Sequence, residues 1–227
     1  MIKLKDILTE TDTNVKRAFG DIAFGDEPEF VRIQGKYGLE RDTEIEEKIL
    51  IALQKWVGAP NNKSSEYLYN HIELFKKAKN KFPSIFKPET PNGTEIYRGI
   101  NKVNDEIISS LKKNSKPKDY TKLTVRGVTF YKYNKPILYT PNRNIQSWTS
   151  TAEISVKFSY GPDKDNGGII ISNQNDEYFF NQNVTNYLFG ETEDEILHFG
   201  KSYSNPVFLA LNPYLADHIF SVTSKDN

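Results

Sequence analysis

The chain contains no cysteine. That excludes a disulfide framework, a thiolate metal site and a cysteine nucleophile, and it fits a reducing compartment. Net charge is missing as well: 30 Lys and Arg balance 30 Asp and Glu. Without a global basic field, direct DNA binding is not expected. Long apolar runs are absent. The longest, ILIAL (49–53) and VFLAL (207–211), are far too short to cross a bilayer. The opening MIKLKDILTE interleaves its apolar residues with Lys and Asp, so it holds no signal-peptide core. A soluble, cytoplasmic protein with no membrane partner is expected. There is no Gly-x-Gly-x-x-Gly after a strand and no P-loop. His71, His198 and His218 lie too far apart to form a metal-ligand pair. DKDNGG (163–168) fails as a calcium loop because Gly167 occupies a ligand position and Gln174 replaces the closing Glu. No metal is expected.

What is present is aromatic. The 227 residues include 13 Tyr, 14 Phe and 2 Trp, enough for a sizeable core. The first part reads as helical. DTEIEEKILIALQKWVG (42–58) spaces Ile45, Ile49, Ala52, Leu53 and Trp56 along one helix face, with Asp42 or Thr43 as cap and Gly58 as stop. SSEYLYNHIELFKKAKNKF (64–82) repeats the pattern with Leu68, Ile72, Phe75 and Phe82, capped by Ser64 or Ser65. PSIFKPETPNG (83–93) then breaks the chain with three prolines and a glycine.

Beyond it the period changes. Strands are expected over 94–100, 123–131, 167–172, 194–200, 206–212 and 217–223, a helix over 102–114, and a strand running into a helix over 147–159, with Val156 and Phe158 in the core. Many short strands with few helices argue for an α+β fold of packed sheets rather than a doubly wound parallel sheet. The domains expected are a helical region over 1–90 and a core over 91–227.

Three stretches place polar groups at strand ends. IYRGI puts Arg98 among strand formers, where a charge needs a reason. SWTSTAEISVKFS crowds Thr149, Ser150 and Thr151 where a strand gives way to a helix, and Thr151 is placed to cap that helix. GETEDEILHFG sets Glu193 and Glu195 two apart, so on a strand they share a face. Two carboxylates that close repel unless a cation relieves them. An arginine with a glutamate pair suits binding an anion and stabilising a developing cation, as in breaking an N-glycosidic bond of a phosphate-bearing substrate. A structural ion pair is the plain alternative for Arg98. A glycoside hydrolase is disfavoured, because same-face neighbours cannot flank a sugar ring.

These three stretches, in this order, resemble the Arg–Ser–Glu class of mono-ADP-ribosyltransferases, and most closely the small phage enzymes of the ModA, ModB and Alt kind. The resemblance covers roughly residues 91–227. It implies a core of two packed, mostly antiparallel sheets and an activity that moves ADP-ribose from NAD to arginine side chains of proteins, releasing nicotinamide. It implies Arg98, with Gly99, Ser150 and Thr151, as the NAD-binding set, Thr149 as the hydroxyl that bonds the catalytic glutamate, Glu195 as that glutamate, and Glu193 as the residue that selects the acceptor. Glu191 with Glu193 is an alternative register; the strand starting directly after Glu195 favours 193 and 195. Tyr187 and Phe189 fall in the acceptor-recognition stretch, Lys164 in a turn near the NAD phosphates, and Tyr160 and Phe180 are candidates to stack on nicotinamide. The implied partners are NAD and acceptor proteins of a bacterial host, RNA-associated ones included, in the host cytoplasm. The basic stretches KKAKNK (76–81) and KKNSKPK (112–118) are solvated faces or steer such a target. A binding module of the same fold without turnover, or an NAD glycohydrolase, are the other readings.

Overall fold

The computed structural model describes Trp56 and residues 62–81, 87, 90–160, 166–175, 179–181 and 195–223. The described elements, in chain order, are α1 (Asn62–Asn70), α2 (Ile72–Lys81), β1 (Glu95–Ile100), α3 (Asp105–Asn114), β2 (Tyr120–Val125), β3 (Val128–Tyr133), β4 (Ile145–Thr149), α4 (Ala152–Ser159), β5 (Gly168–Asn173), β6 (Phe179–Asn181), β7 (Glu195–Phe199), β8 (Phe208–Leu211) and α5 (Pro213–Thr223). The protein is therefore mixed α and β, and its strand ladders are antiparallel.

The chain divides into two compact units. One takes the described residues within 1–89, 142–146 and 178–201; the other takes those within 90–141, 147–177 and 202–227. In the second unit six strands run in the order β2-β3-β8-β5-β1-β4. Two separate packed sheets were expected here. Among the described residues this unit instead has one unbroken ladder, because β1 pairs with β5 along its length and with β4 through Tyr97 and Thr149. One face of that ladder packs Val125, Phe130, Ile169, Ile171 and Ala210 against Val156 of α4.

Three expectations are corrected in this unit. The run 123–131 is a hairpin, not one strand. Arg126 (φ 52°) and Gly127 (φ 74°) form a two-residue left-handed turn between β2 and β3, the geometry that matches strand twist. The stretch 217–223 is helical. Its apparent alternation continues a helix that starts at Pro213, where the Asn212 side chain accepts the Leu215 N–H at 2.8 Å; an Asn cap followed by Pro is a helix start. Phe158 is 48% exposed, while Val156 is buried as expected.

In the first unit, α1 and α2 replace the single helix expected over 64–82. The chain turns at His71, whose ring N–H donates to the Tyr67 carbonyl at 2.7 Å. Ser65 is not a cap: it is buried, and its hydroxyl accepts the Ile145 N–H at 3.0 Å. β6, which the sequence reading lacked, pairs with β7. Phe75, Phe180 and Phe199 pack together with ring centroids 4.9–5.8 Å apart. Of the helix expected over 42–58, only Trp56 lies among the described residues; it is helical and buried.

Candidate active site

β1 is the element on which the candidate site turns. Alternation sends Ile96, Arg98 and Ile100 to one face of the sheet and Tyr97 and Gly99 to the other. On the Tyr97 face, α4 lies directly on the strand. A Cβ at Gly99 would overlap the Ser155 carbonyl oxygen and stand 2.7 Å from the Phe158 Cβ. Only glycine lets the helix approach this closely. The visible role of Gly99 is thus to seat α4.

Arg98 is half-buried on the opposite face. Its Nη1 donates to the Ser147 carbonyl at 2.6 Å, which fixes the guanidinium against β4. Its Nε is buried and has no hydrogen-bond partner among the described residues. Among the described residues no carboxylate pairs with Arg98. The structural ion pair weighed above therefore has no counterpart among them. A buried cationic N–H without an acceptor is costly.

The pairing of Tyr97 with Thr149 sets Trp148 on the Arg98 face and Thr149 on the other. Trp148 is buried and meets the Tyr203 ring edge-on at 5.5 Å. Burial pushes the Tyr203 hydroxyl well above the usual phenol range. Tyr139 adds to this, while the Arg98 charge opposes it. Tyr203 therefore stays protonated, a donor within the field of Arg98.

Thr149 is buried, and its hydroxyl accepts the Thr151 N–H at 3.1 Å. Thr151 holds the N-cap position of α4 (φ −104°, ψ 106°), but its side chain makes no capping bond. The expected cap is thus corrected: the hydroxyl two residues earlier turns the chain into the helix. Ser150 is half-buried between them. Arg98, Gly99 and the 149–151 run all belong to the second unit.

Glu195 belongs to the first unit, where it opens β7 half-buried. Its carboxylate accepts a hydrogen bond from the Trp56 indole N–H at 3.2 Å. Sequence reasoning counted Trp56 only as an apolar member of a helix stripe. A buried indole needs an acceptor for its N–H, and that need was the available signal. Glu191, Glu193, Tyr187, Phe189 and Lys164 lie outside the described residues.

One ring assignment changes. Phe180 is fully buried among Phe75 and Phe199, so it has no free face for a ligand. Tyr160 packs toward Phe130, with centroids 6.3 Å apart. His198 is buried in β7, its ring 4.6 Å from that of Phe179, and burial lowers its pKa to about 4. Among the described residues no group of His, Asp and Glu could hold a metal ion, and no helix is long and apolar enough to cross a membrane. Searched against protein-family models, curated proteins and solved structures, the chain matches none.

Proposed function

We propose that the chain is a mono-ADP-ribosyltransferase that transfers ADP-ribose from NAD to arginine side chains of bacterial host proteins. The observation that carries this reading is Arg98: a guanidinium fixed by one carbonyl, with a buried N–H unanswered and no carboxylate paired to it among the described residues. Such a group suits a phosphate oxygen, for which the arginine fork has the right geometry. The order Arg98, Thr149, Glu195 along the chain, with Arg98 inside β1, Thr149 closing β4 and Glu195 opening β7, supports the assignment.

In this reading the bond between nicotinamide and ribose C1′ breaks and nicotinamide leaves with the bonding pair. An acceptor guanidinium nitrogen forms the new bond to C1′ and loses a proton. Arg98 holds the phosphates. Glu195, oriented by Trp56, stabilises the positive charge growing on the ribose; removing one such group costs about 3–4 kcal/mol of barrier. Glu193 selects and activates the acceptor. NAD is consumed as substrate and no metal is required.

The test is transfer from labelled NAD into a bacterial lysate by the wild type, Glu195→Ala and Glu193→Ala. Labelled proteins that vanish with Glu195→Ala support the transferase. Retained nicotinamide release without labelled proteins in Glu193→Ala supports its acceptor role. Nicotinamide release without labelling by the wild type would make the protein an NAD glycohydrolase. Binding with no release at all would make it a module without turnover.

A further inference from the structure

Two loops meet on the Arg98 face of the second unit. Residues 137–141 are tied to 202–207 by the Ile137 N–H, which donates to the Val207 carbonyl at 2.7 Å. The second loop is in turn fixed to β5. Asn175 Nδ2 donates to Ser204 Oγ at 2.6 Å, Asn205 Nδ2 to the Asn173 carbonyl at 3.1 Å, and Ser172 Oγ to the Pro206 carbonyl at 3.3 Å. Held in this way, the rings of Tyr139 and Tyr203 stand 5.8 Å apart with a 38° tilt, and buried Trp148 supports Tyr203 edge-on. Both tyrosines are only half-buried.

The placement joins two chemistries. Arg98 supplies a fixed cation with an N–H that no described residue answers. The tyrosine pair supplies rigid π surface on anchored loops. An acidic peptide or inorganic phosphate would use the first and ignore the second. A ligand with a planar heteroaromatic ring joined to a phosphate uses both, since nucleobases stack on aromatic side chains.

We propose that Tyr203, backed by Trp148 and flanked by Tyr139, determines specificity by stacking on the heteroaromatic ring of a nucleotide whose phosphate Arg98 holds. This rests on the NAD-consuming reading above and adds to it the residue that tells a nucleotide from a bare phosphate.

Calorimetric titration of the full chain with pyrophosphate, ADP and nicotinamide mononucleotide tests it. Tyr203→Ala is expected to weaken ADP or the mononucleotide by about tenfold or more, leave pyrophosphate within about twofold, and be rescued by Tyr203→Phe. The mononucleotide that suffers identifies which ring stacks there. Tyr203→Leu keeps side-chain bulk without a π face, so it provides the same comparison should the alanine variant unfold. Equal weakening of all three probes, no weakening of any, or failure of Tyr203→Phe to rescue would overturn the proposal. If the wild type bound none of them, or Arg98→Gln bound all as well as the wild type, the Arg98 reading itself would fall and the Tyr203 proposal with it.

Discussion

The two faces of β1 differ in what they leave undone. On the Tyr97 face the described contacts close on one another: α4 presses on Gly99, and the Tyr97 hydroxyl donates to Glu95 at 2.8 Å, Glu95 also pairing with Lys132 at 2.8 Å. On the Arg98 face a cation sits with one N–H satisfied by Ser147 and another, buried, with no partner among the described residues. Strand alternation puts these two environments one residue apart. The difference teaches that neighbouring residues of the same short motif answer to different demands: Gly99 to packing and, on the proposed function, Arg98 to a ligand. Substitutions on the two faces should therefore fail differently, one in stability and the other in binding.

The largest effect on stability belongs to the closed face. Gly99→Ala is expected to cost about 3 kcal/mol, because the added methyl meets α4 backbone rather than a flexible side chain. Thermal unfolding should show a fall of roughly 6–12 °C for a chain of this size. A wild-type melting temperature would break the packing account of Gly99.

A comparable effect, set by pH, lies in the first unit. Burial depresses the folded-state pKa of His198 from 6.5 to about 4. The unfolded chain therefore binds the proton more readily, and the stability from keeping His198 neutral is fully present above pH 6.5 and lost as pH falls toward 4. The loss is about 3 kcal/mol on the one-unit conversion of 1.36 kcal/mol. Unfolding midpoints measured from pH 7 to pH 4 should fall steeply, and His198→Gln should flatten that slope.

Next in size, Trp56→Phe removes the indole donor from the Glu195 carboxylate, at about 1.5–3 kcal/mol for a bond to a charged group. Denaturant titration measures this. On the proposed function the same variant should lower the rate of nicotinamide release while leaving NAD affinity nearly unchanged. Thr149→Val should cost about 1 kcal/mol by stranding the Thr151 N–H, and Thr149→Ser should restore it. The smallest change in stability belongs to Arg98 itself: Arg98→Gln loses the bond to the Ser147 carbonyl but also removes a buried cationic N–H that has no acceptor among the described residues, so the two offset and stability should stay within about 0.5 kcal/mol of the wild type.

Much of this arrangement was legible in the sequence. The strand over 95–100, the strand-to-helix turn at 149–152 and the start of β7 at Glu195 all follow from local alternation and turn chemistry. The helix over 213–223 was misread because alternation was sought in HIFSV while the start signal lay upstream in Asn212 and Pro213. The hairpin at Arg126 and Gly127 was missed because the flanking alternation continues unbroken through the turn. The partners of the site were the least legible part. Trp56 reaches Glu195 across 139 positions, and Tyr203 joins Trp148 through loop anchoring; neither contact has a local signature. Gly99 shows the converse, a residue read as part of a ligand motif whose visible constraint comes from a helix packed behind the strand.

The most direct test of the account is NAD affinity by calorimetry for the wild type and Arg98→Gln, with unfolding temperatures measured in parallel. The account predicts that the dissociation constant rises by about tenfold or more, the worth of a hydrogen bond to a charged group, while the melting temperature stays within a few degrees. An unchanged dissociation constant, or a loss of stability as large as that of Gly99→Ala, would contradict it and return Arg98 to the structural side of the strand.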